Sequence, residues 1–301
     1  MILDFYRTLS EILESQQRLV LLVVIANEGS SPGRKGFKMV VTKKGMFGTI
    51  GGGIMEHKLV EYAQSLLEKP AFEPFIKHQI HDKSATKDQS GMICSGRQTI
   101  AFYDIQPNLL PLINKIVSEN NSGITYTDKG INVPSENPEW SFTENVLPQK
   151  VYIIGGGHVG LALSEVLSRM DFQIHILDHR ENLNTIEQNH FAQSNQIVDF
   201  DKIDSHIPEG NDVYVVIMSF GYRTDDVIIR RLVNKNFKFI GMLGSREKIA
   251  KLFQGMINDG FDKENIAKVY APIGIDIKSE TTQEIAISVA AQLILVKNQN
   301  R

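Results

Sequence analysis

Residues 151–160 read VYIIGGGHVG, a short apolar strand that runs into a glycine-rich turn and then into the start of a helix. Gly155, Gly157 and Gly160 form the G-x-G-x-x-G pattern that is typical of dinucleotide-binding βαβ units. The next apolar strand ends at Asp178, where an acidic side chain meets a ribose hydroxyl in such units. A lone glycine pattern is weak evidence, but this context predicts a Rossmann-like domain.

The rest of the C-terminal half keeps the same alternation of strands and helices. Its strands are separated by helix-length amphipathic stretches and read VYIIG (151–155), QIHIL (173–177), VYVVIMS (213–219) and KFIGML (238–243). This alternation predicts a doubly wound, mainly parallel sheet that is buried on both faces, over residues 149–301. Residues 1–105 predict a smaller α+β domain, and residues 106–148, rich in proline and asparagine, predict a connector with one helix from Leu109 to Glu119.

The glycine turn before the second half's first helix has two interpretations. The helix N-terminus can present free N–H groups to a pyrophosphate, and Asp178 favours NAD over NADP because a carboxylate repels a 2′-phosphate. Arg180 weakens that preference, and His158 is a candidate ligand or proton-transfer residue beside the turn. Alternatively, the glycines only permit close packing of strand and helix, and no nucleotide binds.

Two further helix starts are visible in the C-terminal half. The segment GMLGSREK places Arg246 beside a candidate N-cap, Ser245, directly after a strand. A helix N-terminus with an arginine beside it is suited to binding an anion. Thr281 and Glu284 in TTQE predict a capping box at the start of the last helix. Capping is the better interpretation of the second pair, whereas Arg246 remains a candidate cofactor-binding residue.

Two glycine-rich loops lie near the N-terminus, in GSSPGRKGFKM (29–39) and FGTIGGGIMEHKL (47–59). Gly51, Gly52 and Gly53 can aim backbone N–H groups at one anion, with Glu56 in the first turn of the following helix. The cations nearest in sequence, which we expect on the rim of such a site, are Arg34, Lys35 and Lys38. The alternative is a pair of tight turns with a solvated basic rim.

The chain has one cysteine, Cys94, in the small-residue segment SGMICSGR, with Arg97 three positions later. One cysteine excludes an internal disulfide, a four-cysteine zinc site and a cysteine-bound iron–sulfur cluster, and it favours a reducing compartment. Loop N–H groups and the Arg97 guanidinium would activate the thiol as a nucleophile or a soft metal ligand. The alternative is a small buried hydrophobic residue.

Length, charge and hydropathy bound the class of protein. A chain of 301 residues with 42% hydrophobic residues and a net charge of −3 predicts two cored domains and argues against non-specific nucleic-acid binding. The longest apolar run, Leu19 to Ala26, is far shorter than the ~20 residues of a membrane helix. The first residues lack the basic-then-apolar layout of a signal peptide, so we expect a cytoplasmic protein without a membrane partner.

Six segments occur in the order found in the XdhC/CoxI family, the accessory factors of xanthine dehydrogenase and related molybdenum hydroxylases. They are EGSSPGRKGFKM, GTIGGGIME, GMICSG, IIGGGHVG, IGMLGSREK and APIGIDI with TTQEIAIS. The resemblance runs from about residue 20 to 296. It implies an XdhC-type α+β domain followed by a Rossmann domain, a homodimer, and transient binding of the molybdenum cofactor, molybdopterin.

The resemblance also implies a maturation factor rather than an enzyme. Such a factor supports sulfuration of the cofactor, with a cysteine desulfurase as sulfur donor, and delivers the cofactor to the apo-hydroxylase. It gives Cys94 a role at the sulfur or the molybdenum of the bound cofactor. The glycine loops, with Glu56, Arg34 and Arg97, are then the candidate cofactor-binding residues of the N-terminal domain.

The chain departs from the family pattern at several positions. Ile54 stands where many members have a cysteine, Ser95 and Lys278 replace common glycines, and 219–222 lack the family's two histidines. A sulfur relay between two thiols of this chain is therefore not expected. The alternative function is that of an NAD-dependent oxidoreductase acting on a small molecule, with Tyr222 and Arg223 as the polar pair near the switch point of the Rossmann sheet. A third interpretation is a regulatory module that senses a nucleotide.

Overall fold

The structure, a computed structural model, describes residues 2–80, 96–118, 123–145 and 148–299. The chain divides into two compact units, which comprise residues 1–147 and 148–301. Each unit has hydrophobic cores of its own. The two units are therefore described one after the other.

In its described residues, the N-terminal unit contains an antiparallel five-stranded sheet, a three-stranded sheet and three α-helices. In chain order its elements are α1 (Ile2–Glu14), β1 (Leu19–Glu28), β2 (Lys38–Val41), β3 (Met46–Gly48), α2 (Gly53–Leu67), β4 (Phe75–Ile80), β5 (Arg97–Ile105), α3 (Leu110–Ser118), β6 (Gly123–Thr127), β7 (Gly130–Ile131) and β8 (Ser141–Asn145). A short 3₁₀ helix, Pro107–Leu109, precedes α3. The strand order of the larger sheet is β3-β2-β1-β5-β4, and that of the smaller sheet is β7-β6-β8.

The central strand β1 explains the layers of this unit. Its side chains from Leu19 to Ile25 are all buried, and alternate residues of a strand point to opposite faces. One core, which contains Leu21, packs against α1, α3 and the small sheet, while the other, which contains Leu22, packs against α2. The antiparallel sheet is therefore covered on both faces.

Residues 106–148, where the sequence predicts a connector, contain α3 and the three strands of the smaller sheet. Ile113 and Ile116 of α3, Ile124 of β6 and Phe142 of β8 are buried in the same core as β1 and α1. The apolar spacing of this segment is interrupted by prolines and asparagines, which obscures its short strands. In the structure it completes the N-terminal unit.

The C-terminal unit contains a parallel five-stranded sheet with helices around it. Its elements are β9 (Gln149–Ile154), α4 (His158–Ser168), β10 (Phe172–Asp178), α5 (Asn184–Glu187), β11 (Ser194–Ile197), β12 (Gly210–Ile217), α6 (Tyr222–Leu232), β13 (Phe237–Met242), α7 (Arg246–Asn258), α8 (Lys263–Ala267) and α9 (Thr282–Asn298). A 3₁₀ helix, Phe200–Ser205, precedes β12. All four strand pairings are parallel.

The strand order β11-β10-β9-β12-β13 confirms the predicted doubly wound sheet. The chain proceeds outward from β9 through β10 and β11, then returns to the other side of β9 with β12, so the order reverses between β9 and β12. Ile154 joins a core with α6 and α7, and Ile153 joins one with α4 and α9, so helices cover both faces. Ligands of such sheets bind beyond the carboxyl ends of the strands at this reversal. Among the described residues, none of the helices is both long and apolar enough to cross a membrane.

Candidate functional site

The glycine turn between β9 and α4 has the geometry that a dinucleotide-binding turn requires. Gly155 has φ +123°, and a Cβ there would lie 2.3 Å from Met218 O, so only glycine fits this turn. A Cβ on Gly160 would lie 2.3 Å from Gly155 O, which means that this glycine permits close approach of helix and strand. By contrast, a Cβ on Gly157 would meet nothing within 4 Å. The turn therefore leaves open space at its middle glycine, where a ligand would approach.

The first turn of α4 has no side-chain cap, since its N-cap residue is Gly157. The N–H groups of a helix's first turn have no partner within the helix, and together with the helix dipole they favour an anion. His158 is the first residue of α4 and is exposed. The site is thus able to hold a phosphate by backbone groups, with His158 at its edge.

Asp178, at the end of β10, is buried and fully hydrogen-bonded. Its carboxylate accepts hydrogen bonds from the Gly156 N–H at 2.7 Å and from the backbone N–H of Arg180 at 3.0 Å. The Arg180 guanidinium donates two more. Burial alone would raise the pKa of Asp178, but these hydrogen bonds outweigh it and hold the pKa below its ordinary value. Asp178 is placed as the sequence predicts, with its oxygens already engaged.

The loop after β12 brings residues to the point where the strand order reverses. Ser219 Oγ donates a hydrogen bond of 2.5 Å to Asp225 Oδ1, and the Phe220 ring is 81% exposed with the Arg180 guanidinium 5.9 Å from its centroid. Burial raises the pKa of Asp225 to about 6, against the hydrogen bonds from Ser219 that lower it. Such a carboxyl exchanges its proton near neutral pH, which makes Asp225 a candidate acid or base.

Asp225 is a residue that sequence reasoning missed. Its signal was a carboxylate in the first turn of a helix that follows a parallel strand, which is common and usually reflects the helix dipole. Tyr222 and Arg223, the polar pair that the oxidoreductase alternative relies on, are both exposed at the start of α6. Ser219 and Asp225, by contrast, are both partly buried and are hydrogen-bonded to each other.

In the N-terminal unit, three segments meet around Gln98, which is 2% exposed. Its Oε1 accepts hydrogen bonds from Ser31 Oγ at 2.7 Å and Gly33 N–H at 3.0 Å, and its Nε2 donates to Ile50 O at 3.2 Å. A Cβ on Gly51 would lie 2.5 Å from Gly33 N. The two glycine-rich loops are therefore in contact. We call this meeting of residues 29–36, 49–53 and 96–98 the glycine junction.

Gly96 completes the glycine junction from the side of β5. A Cβ at this position would lie 2.5 Å from Ser31 N, so only a glycine allows the chain to pass so closely. Cys94, two positions earlier in the sequence, lies outside the described residues, and its predicted role stays a prediction. Within the described ranges there is no group of three or more histidine, cysteine, aspartate or glutamate side chains able to hold a metal ion.

Glu56 takes one of the three glycine N–H donors that the loop at Gly51–Gly53 was expected to offer an anion, that of Gly52. Its Oε2 accepts hydrogen bonds from the backbone N–H groups of Ile50 and Gly52, both at 2.9 Å, and from Thr49 Oγ1 at 2.6 Å. The carboxylate thus takes the place of an external anion on the inner side of the loop. On the outer side, α2 has no side-chain cap, and a Cβ on Gly52 would meet nothing within 4 Å. This outer side has room for a ligand.

The expected basic rim is only partly present. Arg34 is exposed and donates to Gly29 O at 3.3 Å, and Arg97 is exposed and pairs with Glu28 at 2.7 Å. The prediction that Lys38 lies on this rim was wrong. Lys38 is buried and its Nζ lies 2.6 Å from Glu144 Oε2, because it is the first residue of β2 and its side chain turns into the core.

The remaining helix starts are capped as the sequence predicts. Ser245 is the N-cap of α7, and its side chain accepts from the Lys248 N–H. Thr281 and Glu284 form a complete capping box at the start of α9. Arg246, the first residue of α7, is exposed.

Two family models match this chain. Residues 151–293 match the model described as the XdhC Rossmann domain, and residues 12–75 match that of the XdhC and CoxI family. The two matches fall in different structural units and contain the glycine turn of the second unit and most of the glycine junction of the first.

Relatives with curated names are similar over nearly the whole chain. The protein named "Uncharacterized protein YqeB" of Escherichia coli (strain K12) is 23% identical over 98% of this chain, which spans 47%, about half, of the length of YqeB. A protein of Bacillus subtilis (strain 168), named as a probable subunit of xanthine dehydrogenase, is 22% identical over 98% of both chains. A crystal structure described as a xanthine dehydrogenase from Bacillus halodurans shares the fold, with a TM-score of 0.76, 23% identity, and coverage of 98% and 96% of the two chains.

Proposed function

The chain belongs to the XdhC and CoxI family, and from that membership we propose that it is an accessory protein in the maturation of a xanthine dehydrogenase-type molybdenum hydroxylase. The similarity to a Bacillus subtilis protein named as a probable xanthine dehydrogenase subunit supports this role, since it extends over 98% of both chains. The family motifs fall in both structural units, which supports a function that uses both.

In this proposal the chain binds the molybdenum cofactor transiently, supports its sulfuration and delivers it to the apo-hydroxylase. The cofactor carries a phosphate, so its site must offer N–H donors or cations. The inner side of the loop before α2 does not fit a phosphate, because the Glu56 carboxylate already lies there and accepts the Ile50 and Gly52 N–H groups. The outer side fits: α2 lacks a side-chain cap, Gly52 faces open space, and Arg34 is exposed on the adjoining loop.

The residues of the glycine junction have distinct tasks in this site. Glu56 fixes the loop before α2, so that the uncapped first turn of α2 is already in place when an anion approaches. Gln98 fixes both glycine-rich loops to the start of β5. Bound there, the cofactor would supply a metal–dithiolene centre that accepts a terminal sulfur.

The observation that carries this proposal is the close approach of Gly96 to Ser31 within the glycine junction. Gly96 lies two positions after Cys94 in the sequence. It links the chain's one cysteine in sequence to the loops that fit a phosphate. A thiolate is a soft ligand and a sulfur nucleophile, and both properties suit a metal–sulfur centre. Since the sequence has one cysteine, a relay through two thiols requires the second from a partner, for which a cysteine desulfurase is the proposed source. We also propose that the chain forms a homodimer, which a molar mass measured by light scattering tests.

The proposal is tested by titrating molybdenum cofactor into the purified full chain. We expect Cys94→Ser to weaken binding or to abolish sulfuration, the latter read as reconstituted activity of an apo-hydroxylase supplied with desulfurase and cysteine. Ser95→Ala, which changes the neighbouring residue and leaves the thiol, is the matched control. Equal binding and equal sulfuration by Cys94→Ser and wild type would overturn the role of the thiol. Failure of the wild-type chain to bind cofactor would overturn the proposal as a whole.

A second candidate function is an NAD-dependent oxidoreductase acting on a small molecule, and Asp225 is the observation that favours it. Its half-buried carboxyl lies in the loop where the strand order reverses, and its raised pKa suits proton transfer. The chain would then oxidise or reduce a substrate with NAD, and Asp225→Asn would remove the activity without removing NAD binding. A chain that binds NAD but shows no turnover with hydroxy acids, alcohols or aldehydes contradicts this alternative.

A further inference from the structure

A cavity of about 280 Å³ lies beyond the carboxyl end of β13, between the first turn of α7 and the segment that leads into α9. The segment is fixed at its base, where Ile273 N–H donates to Met242 O and Gly274 N–H donates to the Gln292 side chain. Residues 276–279 form the outer wall. Sites for drug-sized molecules usually occupy ~300–1,000 Å³, so this cavity suits a small ligand.

The charge of the cavity favours an anion. Arg246 and Lys278 both line it, and neither side chain makes a hydrogen bond or an ion pair with any residue that the structure describes. Asp276 is the one carboxylate of the lining, and its Oδ1 already accepts from the Lys278 backbone N–H. The lining therefore carries two cations that have no partner among the described residues, and only one carboxylate. The charge of the cavity wall is positive on balance.

The start of α7 adds to this positive field. Ser245 caps the helix by accepting from Lys248 N–H at 3.4 Å, a long hydrogen bond, and the N–H groups of a first helical turn have no partner within the helix. The positive end of the helix dipole lies at the same place, next to Arg246. Backbone donors and a guanidinium in one location are suited to phosphate oxygens.

Lys278 holds an unusual backbone conformation at the cavity wall. Its φ is +56°, in the left-handed region that glycine adopts freely and a lysine does not. A glycine would form the same turn without strain but would bring no charge. The strained residue thus carries one of the two cations of the cavity, and strain of this kind concentrates at ligand-binding positions.

We propose that this cavity binds the phosphate group of a small phosphorylated ligand, with Arg246 and Lys278 as charge partners and the first turn of α7 as N–H donor. The cavity follows β13, whereas the glycine turn follows β9, and β12 lies between the two strands. It is therefore separate from the turn where a dinucleotide would place its pyrophosphate. The proposal does not depend on the maturation role.

Calorimetric titration of the full chain with pyrophosphate tests this site. We expect Arg246→Gln and Lys278→Gly each to weaken pyrophosphate binding about 10-fold, the usual effect of losing one charge-assisted hydrogen bond. Lys251→Gln removes an exposed cation from the same helix away from the cavity and should leave the affinity unchanged. Malonate, a dicarboxylate probe, should bind at least about 10-fold more weakly than pyrophosphate.

A second readout separates the charge of Lys278 from its backbone strain. Lys278→Gly should raise the melting temperature while it weakens pyrophosphate binding, because glycine adopts φ +56° without cost. Gln16→Gly, at φ +57° in the N-terminal unit, should raise stability and leave binding unchanged. No pyrophosphate binding by wild type, wild-type affinity in both Arg246→Gln and Lys278→Gly, equal loss in Lys251→Gln, or malonate binding as tight as pyrophosphate would each overturn the proposal.

Discussion

Asp178 and Arg180 form a two-point ion pair at the end of β10, with Arg180 Nε 2.9 Å from Oδ1 and Nη2 2.8 Å from Oδ2. The backbone N–H groups of Gly156 and Arg180 donate to the same carboxylate. A ribose hydroxyl that approaches Asp178 therefore competes with a guanidinium for its oxygens. The same guanidinium is a natural partner for a 2′-phosphate.

We predict that Arg180→Gln shifts nucleotide preference toward NAD. Loss of the guanidinium frees a carboxylate oxygen for the ribose and removes the cation that a 2′-phosphate would use, so the ratio of NAD to NADP affinity should rise about 10-fold. Calorimetry with both nucleotides measures it. Arg169→Gln, at the opposite end of α4, is the control. An unchanged ratio contradicts the prediction, and absence of binding by either nucleotide favours a packing role for the glycines.

Asp225 is expected to reduce stability as the pH rises from about 4 to about 6. Its pKa is about 6 in the folded chain and near 3.8 when unfolded, so the folded state binds the extra proton in this range. The free energy of unfolding should therefore fall with pH relative to Asp225→Asn, and the difference should level off above about 6. Urea unfolding at pH 4.5, 5.5, 7 and 8 measures this, with the exposed Asp201→Asn as control. Parallel curves for wild type and Asp225→Asn would count against a raised pKa.

Glu56→Ala should destabilise the N-terminal unit and increase its response to phosphate. The change leaves two backbone N–H groups without their acceptor, which costs about 1–3 kcal/mol. Inorganic phosphate can then occupy the vacated position, so it should raise the melting temperature of Glu56→Ala more than that of wild type. Glu61→Ala, which removes an exposed carboxylate from the same helix, is the comparison. A larger phosphate response in wild type would show that Glu56 does not fill the loop.

Lys38→Met should lower the free energy of unfolding by about 3–5 kcal/mol, because it leaves the Glu144 carboxylate buried without its cation. Tyr6 and Tyr126 also donate hydrogen bonds to Glu144, and burial raises the pKa of both phenols well above the ordinary value, so they remain donors. The double variant Lys38→Met/Glu144→Gln should recover part of the loss. Urea unfolding of the two single variants and the double variant measures this coupling, and additive losses would contradict it.

The glycine fingerprint is the part of the site that the sequence alone predicts best. The pattern of Gly155, Gly157 and Gly160 after a strand predicts a tight turn, and Gly155 has the positive φ of +123° that such a turn requires. The close packing of strand and helix that the alternative interpretation predicts is present as well, at Gly160. Such a prediction succeeds because it depends on neighbours a few positions apart. The position of Asp178 is predicted for the same reason.

Pairings between distant residues were not predictable in this way. Lys38 was placed on a basic rim because it follows Arg34 and Lys35, and nothing near it in sequence indicates that Glu144 of the small sheet reaches it. Glu56 was expected to accompany an anion, whereas its carboxylate folds back onto the loop. The charge facing the cavity beside α7 likewise depends on Lys278, which is 32 positions from Arg246 in sequence.

The buried carboxylate of Glu144 also limits how this protein can be divided or recombined. Its partners Tyr6 and Lys38 lie 138 and 106 positions away, and they come from the first helix and from the second strand of the larger sheet. A chimera that takes residues 1–105 from one relative and the following segment from another would take Lys38 and Glu144 from different proteins. Their buried ion pair would then have to form between residues that were not selected together. Exchange of modules between relatives is therefore expected to succeed at residues 147–148, where the two compact units meet in sequence, and to fail at 105.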